Sequence, residues 1–479
     1  MTEATIEGIR DAAANASVGF QSLESEAQVD RLPVEGELPA WLDGALLRTG
    51  PALYDAAGRT VEHWFDGMSM LHRFGFAGGQ VSYANRFLDS RAYRGFREDG
   101  RIHYREFASD PCRTMFRRVA SMFAPDGELT DNAHGNLARV ADRFIALTET
   151  PLPVAFDPET LDTLGVVDYP DAMKGQLTTA HPHRHPGTGE LVSYMTLFGP
   201  RSRYQLYALG DLGKGRRKIA SIPVQEPSYM HSFAVTERFA VFVEYPFVVN
   251  PLKLALSRKP FIQSYRWRPR RGTRFTAVEL DTGKVRRRWQ GPASFALHHV
   301  NAFEDGDELA VDLLGYDDPG LLDSFTMDRR RAAEPPPDAE LRRHRLPLSG
   351  GEVRVERLTD TPFEIPGIDA ARRDGRAYDY AYGVSRGDSD FWAEVVKVDV
   401  RDGSTLRWSE PGCYAGEPVF VPSPDAREED DGILLSVVLD AAARRSFALA
   451  LDARTLAERA RAWVPHGIPI GFHGQFVPS

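Results

Sequence analysis

Short runs of apolar residues, interrupted at close intervals by turn-forming residues, most constrain what this chain can fold into. Residues 238–244, 308–314 and 432–439 are three such runs, and each is mostly apolar from end to end. Runs of this kind indicate buried β-strands rather than helices, which usually extend over about ten residues or more. The chain is therefore predicted to be all-β, with many short strands.

A second pattern recurs along the chain: a strand-like run ends in an acidic residue, a small polar turn follows, and another run begins. It occurs in residues 155–161, 278–285, 398–404 and 450–456. Asp followed by Thr, Gly or Ser suits a tight turn because these residues hydrogen-bond the local backbone or tolerate positive φ. The irregular spacing fits a β-propeller with unequal blades, and two β-sandwiches would also fit the periodicity.

The domain organisation follows from the same patterns. Residues 1–30 are rich in Ala, Ser and Glu and have weak periodicity, which predicts a loosely ordered N-terminal arm. Residues 31–479 carry the strand pattern without a break and are predicted to form a single β-propeller domain with inserted cap loops.

Composition excludes several classes of protein. Lys and Arg number 58 against 68 Asp and Glu, a formal net charge of −10, and no long basic run is present, which argues against a nucleic-acid binder. Two cysteines, Cys112 and Cys413, cannot build the disulfide framework of a small secreted protein. The chain begins without a signal-peptide pattern, and no apolar run approaches about 18 residues. A cytoplasmic protein without a membrane span is therefore expected.

Four of the 13 histidines lie far apart in strand-rich contexts: His181, His231, His298 and His473. Three of them follow apolar or aromatic residues, which predicts that they are buried. A buried neutral imidazole must satisfy both ring nitrogens, and either a backbone carbonyl or a metal ion can do so. Their separations match no local zinc-binding spacing, so the residues alone leave a core role and a metal-binding role open for each.

From about Leu32 to the C-terminus, the chain resembles the carotenoid cleavage oxygenases. The resemblance rests on motifs in family order, at residues 36–39, 46–51, 63–67, 180–182, 188–191, 230–234, 298–305 and 472–474. Each motif is weak alone, but their order is specific. The resemblance implies a seven-bladed β-propeller whose central axis holds one Fe(II) ion through four histidines, under a cap of helices and loops.

Carried over position by position, the resemblance also implies roles for single residues. The implied metal ligands are His181, His231, His298 and His473, and His298 rather than His299 is the ligand of that pair. The implied outer-shell glutamates are Glu149, Glu364 and Glu417. A carboxylate that accepts the second ring N–H fixes the tautomer and orientation of a ligand histidine. Without the resemblance, each glutamate would be interpreted as a surface charge.

The resemblance implies oxidative cleavage of a conjugated C=C bond with O2, which gives two aldehyde or ketone products. The substrate would be a carotenoid or apocarotenoid, cleaved at the central 15,15′ bond to yield retinal. Residues 109–112, 130–133 and 429–438 are similar to the animal β-carotene oxygenases and the retinal isomerohydrolase. The arginine-rich composition is bacterial in type, which argues against the isomerohydrolase role.

Two alternative functions stay open at this point. One is cleavage of a stilbene or another phenylpropenoid, but stilbene-cleaving relatives carry a lysine where this chain has Thr148. The other is a propeller that binds a partner without catalysis. Loss of a ligand histidine would mark that alternative, and all four histidines are present.

An apolar polyene requires a hydrophobic tunnel beside the metal. Aromatic residues near the ligand motifs are predicted either to line this tunnel or to form propeller core: Phe65, Tyr229, Phe233, Phe295, Phe303 and Phe472. Gly135 falls where relatives carry a Val or Thr whose methyl group shields one open position of the iron. The iron is therefore predicted to be less shielded in this chain.

Residues 112–123 have apolar side chains at helical spacing, with arginines between them. The apolar positions are Cys112, Met115, Phe116, Val119, Met122 and Phe123. This pattern predicts an amphipathic helix, which either packs on the propeller or rests on a membrane at the tunnel mouth. Apolar and basic residues at 252–261 could lie beside it.

Overall fold

Seven antiparallel sheets make up the fold of this chain. The structure is a computed structural model, and it describes residues 15–109, 129–257 and 259–479. The sheets form the blades of a β-propeller, numbered here in chain order. The prediction of an all-β, seven-bladed propeller is confirmed, and the alternative of two β-sandwiches is excluded.

Each blade contains four to six strands. Blade 1 comprises Ala27–Val29, Gly44–Leu53, Met68–Ala77, Gln80–Phe87 and Gly474–Pro478. Blade 2 comprises Asn136–Val140, Arg143–Leu147, Val154–Phe156 and Thr163–Val166. Blade 3 comprises Leu177–Thr178, His183–Arg184, Leu191–Leu197, Arg203–Leu209 and Arg217–Pro223. Blade 4 comprises Ala234–Val235, Phe239–Glu244, Thr273–Glu279 and Val285–Gly291.

The remaining blades follow the same plan. Blade 5 comprises Phe295–Asp305, Glu308–Tyr316, Glu340–Pro347 and Arg354–Arg357. Blade 6 comprises Glu364–Gly367, Tyr380–Ser385, Glu394–Asp399 and Thr405–Ser409. Blade 7 comprises Val34–Gly36, Cys413–Ala415, Val419–Pro422, Gly432–Asp440, Arg445–Asp452 and Glu458–Trp463. Two small ribbons pair Asp55–Ala56 with Arg59–Thr60 and Phe247–Val248 with Arg266–Trp267.

In the ranges that the structure describes, the helices are short and most lie in the connections between strands. The α-helices are Arg91–Asp99, Pro251–Leu256, Gly320–Ser324, Met327–Arg331 and Ala370–Arg373. The 3-10 helices are Ala16–Phe20, Trp64–Asp66, Leu212–Lys214, Ile262–Ser264 and Pro269–Arg271. Across the described residues, no helix is both long enough and apolar enough to cross a membrane.

The sequence pattern of a strand reflects its place in the blade. Phe239–Glu244 lies within its sheet and is buried at all six positions, which explains its nearly continuous apolar run. Val285–Gly291 is the last strand of the same blade, and its exposure alternates along the first five residues. The blades are therefore apolar inside and polar at their outer edges.

An early strand and the last strand of the described residues pair in blade 1. Gly474–Pro478 pairs antiparallel with Gly44–Leu53, so that Gly44 lies opposite Pro478 and Arg48 opposite Gly474. Gly474–Pro478 also contacts the first strand of blade 2 and the strand Val419–Pro422 of blade 7. This pairing closes the ring of blades and brings the C-terminus to the propeller axis.

Residues 15–30 of the predicted loose arm are instead folded onto the propeller. Phe20 is fully buried, with its ring edge-on to the rings of Trp64 and Phe391. Ala27–Val29 pairs with Gln80–Phe87 as the outermost strand of blade 1. The weak periodicity of this segment does not reveal its order, because one aromatic anchor and three paired residues hold it in place.

Asp66, at the end of the helix Trp64–Asp66, gives stability a specific pH dependence. Burial raises the pKa of its carboxyl to about 7, although Ala108 N–H and the Ser109 hydroxyl donate hydrogen bonds to it. The folded protein therefore holds this proton more tightly than the unfolded chain, whose carboxyl titrates near 3.8. We expect the free energy of unfolding to fall as pH rises from about 4 to about 7.

Urea unfolding of the wild type and of Asp66→Asn at several pH values checks this expectation. Because the amide cannot titrate, the free energy of unfolding of the variant should lack this part of the decrease with pH. The variant should therefore become more stable relative to wild type as pH rises. An identical pH dependence of the two proteins would show that Asp66 does not hold its proton in the folded state.

Candidate metal centre

The four histidines that the sequence analysis singles out lie together where the first strands of the blades meet. His181 and His231 have ring centroids 4.7 Å apart, and so do His181 and His473. His298 lies 5.2 Å from each of the other three rings. The propeller thus brings together residues separated by up to nearly 300 positions in the sequence.

The blade plan explains this convergence. His181 follows the first strand of blade 3, His231 precedes that of blade 4, and His298 lies within that of blade 5. His473 immediately precedes Gly474–Pro478, the closing strand of blade 1. Equivalent positions in different blades therefore point toward one place on the axis.

The Nε2 side of each imidazole faces the centre of the cluster. The Nε2 atoms of His181 and His231 are 3.0 Å apart. One ring nitrogen from each of His181, His298 and His473 lies within 4.8 Å of the other two. Four nitrogens thus surround one small space.

Three of the rings are held from behind by glutamates. Nδ1 of His231 lies 2.8 Å from Glu149, Nδ1 of His298 lies 2.6 Å from Glu364, and Nδ1 of His473 lies 2.7 Å from Glu417. Because an ionised carboxylate only accepts hydrogen bonds, each Nδ1 must carry the proton and each Nε2 must be left with a free lone pair. In the described part of the chain, His181 is the member of the cluster without a carboxylate contact.

Burial sets the charge state of these groups. It lowers the pKa of His298 to about 4, although Glu364 acts in the opposite direction. Burial, reinforced by the other histidines, lowers the pKa of His181 well below its usual range. For Glu364, burial acts to raise the pKa, but His298, Tyr316 and the Ile365 N–H together hold it below its usual value. These directions of the pKa favour a neutral imidazole at His181 and His298 and an ionised carboxylate at Glu364.

This arrangement fits a bound transition-metal ion. Nε2 of His298 is buried and has no hydrogen-bond partner among the described residues. His181 and His231 direct the same atom toward each other at 3.0 Å. A metal ion satisfies these nitrogens, and imidazole is a ligand that iron accepts readily.

A cavity opens directly beside the cluster. His231, His298 and His473 form part of its wall. Aromatic and aliphatic side chains make up most of the rest: Trp64, Phe65, Phe107, Leu129, Leu177, Phe198, Phe261, Leu297, Phe325, Ile365, Trp392 and Phe472. Gly135, Thr148, Glu149 and Glu364 also reach it. The metal candidate therefore lies beside an apolar chamber.

The six aromatic residues predicted to form a tunnel take three kinds of position: on the cavity wall, behind the wall, or in the propeller core. Phe65 and Phe472 line the cavity, with ring centroids 5.2 Å apart. Tyr229 lies behind the wall, where its hydroxyl donates to Glu149 over 2.7 Å. It acts on the site through that glutamate rather than as a wall residue.

Phe233, Phe295 and Phe303 are corrected to core residues. The ring of Phe233 packs against Tyr194, and that of Phe295 packs against Tyr245. Phe303 follows His298 by five residues, roughly 16 Å along a strand, and is buried far from the cavity. Nearness in sequence to a ligand thus does not place a side chain on the cavity wall.

Several wall residues escaped the sequence analysis. Trp392, Phe325 and Phe198 come from three different blade connections, and no local pattern marks them. His134 lines the cavity beside Phe472, with ring centroids 5.5 Å apart, although the sequence analysis gave it no role. Its position directly before Gly135 was the one available signal.

Other sequence predictions have mixed outcomes. His299 is not part of the cluster: the grouped ring nitrogens are those of His181, His298 and His473, and Nδ1 of His299 lies 2.7 Å from the Ser232 hydroxyl. The predicted amphipathic helix at 112–123 lies outside the described residues. Leu252 and Leu256, on the helix Pro251–Leu256, are 67% and 50% exposed.

Comparison with known proteins gives this geometry a context. Residues 20–478 match the family model described as Retinal pigment epithelial membrane protein. The carotenoid isomerooxygenase of Galleria mellonella is 34% identical over 476 residues, which covers 93% of each chain. The beta,beta-carotene 15,15′-dioxygenase of Rattus norvegicus is 31% identical and covers 94% of this chain and 89% of its own.

Solved structures agree with the sequence relatives. The cobalt-substituted apocarotenoid oxygenase of Synechocystis superposes with a TM-score of 0.86 at 27% identity, covering 96% of this chain and 98% of its own. A chimera of that enzyme with the retinal pigment epithelial protein gives a TM-score of 0.85 at 28% identity, with the same coverage. The chain belongs to the carotenoid oxygenase family, whose members are metal-dependent enzymes built on a seven-bladed propeller.

Proposed function

We propose that this protein is a non-haem Fe(II) dioxygenase that cleaves a conjugated C=C bond of a carotenoid or apocarotenoid with O2. The products are two aldehydes or ketones. The proposal rests on one observation above all: four imidazoles direct ring nitrogens toward one another, and three of them, His231, His298 and His473, form part of the wall of an apolar cavity. A hydrophobic substrate and a metal can meet there without water between them.

The proposed ligands are His181, His231, His298 and His473, and Glu149, Glu364 and Glu417 orient three of them. When bound, Fe(II) supplies the capacity to bind and activate O2. The chain's own residues do the rest: glutamates hold the imidazole tautomers, and the aromatic wall excludes water and holds the polyene by burial of apolar surface. Such a site needs no general base, which agrees with the apolar character of the wall.

The bond cleaved is proposed to be the central 15,15′ bond, with retinal as the product. Support comes from the family itself, in which the Rattus norvegicus relative is named as a 15,15′-dioxygenase. Thr148, in the cavity wall next to Glu149, offers no cationic group to a phenol. That observation favours a polyene over a stilbene.

Product analysis after anaerobic loading with Fe(II) tests the function. The protein is incubated with β-carotene, with an apocarotenal and with resveratrol under ¹⁸O2, and products are separated by HPLC with mass detection. We expect aldehydes from a polyene, with ¹⁸O in both fragments, and none from resveratrol. Cleavage of resveratrol alone would support the stilbene alternative, and no cleavage of any compound by fully loaded protein would refute the proposal.

Gly135 provides a prediction about access to the metal. A Cβ at this position would lie 3.0 Å from the Cβ of Ala180 and 3.2 Å from the Leu147 carbonyl oxygen, beside the proposed ligand His181. Gly135→Val is therefore expected to crowd this side of the centre, to slow O2 consumption severalfold and to alter the product pattern. Gly199→Val is the control, because nothing lies within 4 Å of its Cβ position. Unchanged O2 uptake and products in Gly135→Val would contradict a less shielded iron.

We also propose that this protein touches a membrane through residues 112–123 and the exposed helix Pro251–Leu256. Leu252 and Leu256 offer apolar surface there, and Lys253 adds positive charge between them. Phe261, which follows this helix in the chain, lines the cavity, and the proposed contact would deliver a polyene from the bilayer at this side of the propeller. Liposome flotation with and without anionic lipid tests this contact, and absence of binding to either vesicle would remove it.

A further inference from the structure

Each of the three glutamates behind the histidine cluster receives a hydrogen bond from a second buried side chain. For Glu364 and Glu149, the donor is a tyrosine hydroxyl, and for Glu417 it is a guanidinium. The donors are Tyr316, Tyr229 and Arg48. All three lie in the interior of the propeller. None of them is explained by contact with a substrate, because none lines the cavity.

The Tyr316–Glu364–His298 chain is the most completely enclosed. Glu364 is 4% exposed, and its Oε2 accepts from Nδ1 of His298 at 2.6 Å and from the Ile365 N–H at 3.0 Å. Its Oε1 accepts from the Tyr316 hydroxyl at 2.6 Å. Ile365 has φ of +50°, a strained conformation for a β-branched residue, so the backbone itself is bent where its N–H meets this carboxylate. Both carboxylate oxygens are thereby fixed.

Arg48 holds the second chain at the seam where the propeller closes. It is 5% exposed, and its guanidinium donates to the Glu417 carbonyl at 3.0 Å and to the Phe472 carbonyl at 2.6 Å. The same group lies 3.5 Å from Glu417 Oε2, which also accepts from Gly474 N–H at 2.7 Å. Arg48 therefore ties Glu417 to the residue that precedes His473.

Tyr229 holds the third chain by a different geometry. Its hydroxyl donates to Glu149 Oε1 at 2.7 Å, the same oxygen that accepts from Nδ1 of His231. Tyr229 is fully buried. One oxygen therefore serves both the histidine and its supporting donor, whereas Glu364 divides these bonds between its two oxygens.

We infer that Tyr316, Arg48 and Tyr229 are positioning residues for the metal, which act through the glutamates on the direction of the histidine lone pairs. A carboxylate that loses such a donor in a buried site rotates toward another partner, because an unmade hydrogen bond there is costly. The imidazole in front of that carboxylate then no longer has a fixed tautomer, and its Nε2 lone pair no longer has a fixed direction. This inference rests on the proposed function, since it requires a metal at the four histidines.

Tyr316→Phe tests the inference with a single hydroxyl removed, and Tyr382→Phe is its matched control. The Tyr382 ring is also buried and stacks on Phe420, but its hydroxyl has no partner in the described ranges. Both proteins are loaded with Co²⁺, whose visible absorption reports ligand geometry, and the dissociation constant is measured by chelator competition. Outer-shell partners of metal ligands change affinity by about 10- to 100-fold. We expect about tenfold weaker binding and a shifted spectrum for Tyr316→Phe alone.

Arg48→Lys is the second variant, and thermal unfolding accompanies both measurements. Lysine keeps the charge but cannot span the two carbonyls and Glu417, so binding should weaken here as well. Equal Co²⁺ affinity and equal spectra for wild type, Tyr316→Phe and Arg48→Lys would overturn the inference while leaving the proposed function intact. Absence of stoichiometric Co²⁺ binding by the wild type would instead refute the metal site, and the positioning role with it.

Discussion

His298→Ala is expected to lose stoichiometric metal and all product formation while remaining folded. The imidazole contributes one of four inward nitrogens, and its Nε2 has no other partner in the described part of the structure. Its loss should weaken metal binding by more than about 100-fold, beyond the range of changes to an outer-shell partner. The metal content after desalting and the product yield from β-carotene measure the two effects.

His299→Asn provides the matched control for that experiment. His299 is adjacent in sequence and also buried, but it lies outside the group of clustered ring nitrogens, and its Nδ1 bonds to the Ser232 hydroxyl. An asparagine amide can replace the bond made by Nδ1, so this variant should keep its metal. Loss of metal from His299→Asn together with retention of metal by His298→Ala would show that His299, and not His298, is the metal ligand.

The contrast between these neighbours shows what sequence reasoning can reach. Strand existence was predictable from runs such as Phe239–Glu244, because burial on both faces of a sheet demands continuous apolar residues. The identity of the four histidines came from ordered motifs that resemble a family, since their spacing alone also fitted core positions. The convergence of these histidines depends on strand pairing between segments hundreds of residues apart, which a local sequence pattern does not contain.

Because a local pattern does not contain long-range pairing, it also fails to place several aromatic residues correctly. Phe303 is aromatic and near a ligand in sequence, but five residues of extended strand carry it away from the cavity. Trp392 lies on the cavity wall because the connection between two strands of blade 6 reaches the cavity, and the local composition does not predict this. Phe20 anchors a segment that was predicted to be loosely ordered. One aromatic residue is enough to hold it on the propeller, because the ring packs against Trp64 and Phe391.

The closing strand links the fold to the site most directly. Gly474–Pro478 pairs with Gly44–Leu53, and the Gly474 N–H also donates to Glu417 at 2.7 Å. His473, immediately before this strand, is held in turn by a hydrogen bond of 3.0 Å from the Thr49 N–H to its carbonyl. Circular closure and the placement of one proposed ligand therefore depend on the same few residues.

Deletion of residues 474–479 is consequently expected to reduce both stability and metal binding. Each backbone hydrogen bond lost from the ladder costs about 1 kcal/mol, and Gly44–Leu53 becomes an unpaired edge. The free energy of unfolding should fall by several kcal/mol, measured by denaturant unfolding, and Co²⁺ affinity should fall even at temperatures where the truncated protein remains folded.

Deletion of Ser479 alone separates the strand from the chain end. Ser479 is exposed, and its backbone N–H lies 3.4 Å from the Asp43 carbonyl, outside the paired strand. This shorter deletion should leave unfolding and Co²⁺ binding unchanged, because the ladder and the bond from Gly474 to Glu417 are intact. If the longer deletion lowered stability but the truncated protein bound Co²⁺ as tightly as wild type, closure of the ring would serve the fold without positioning His473.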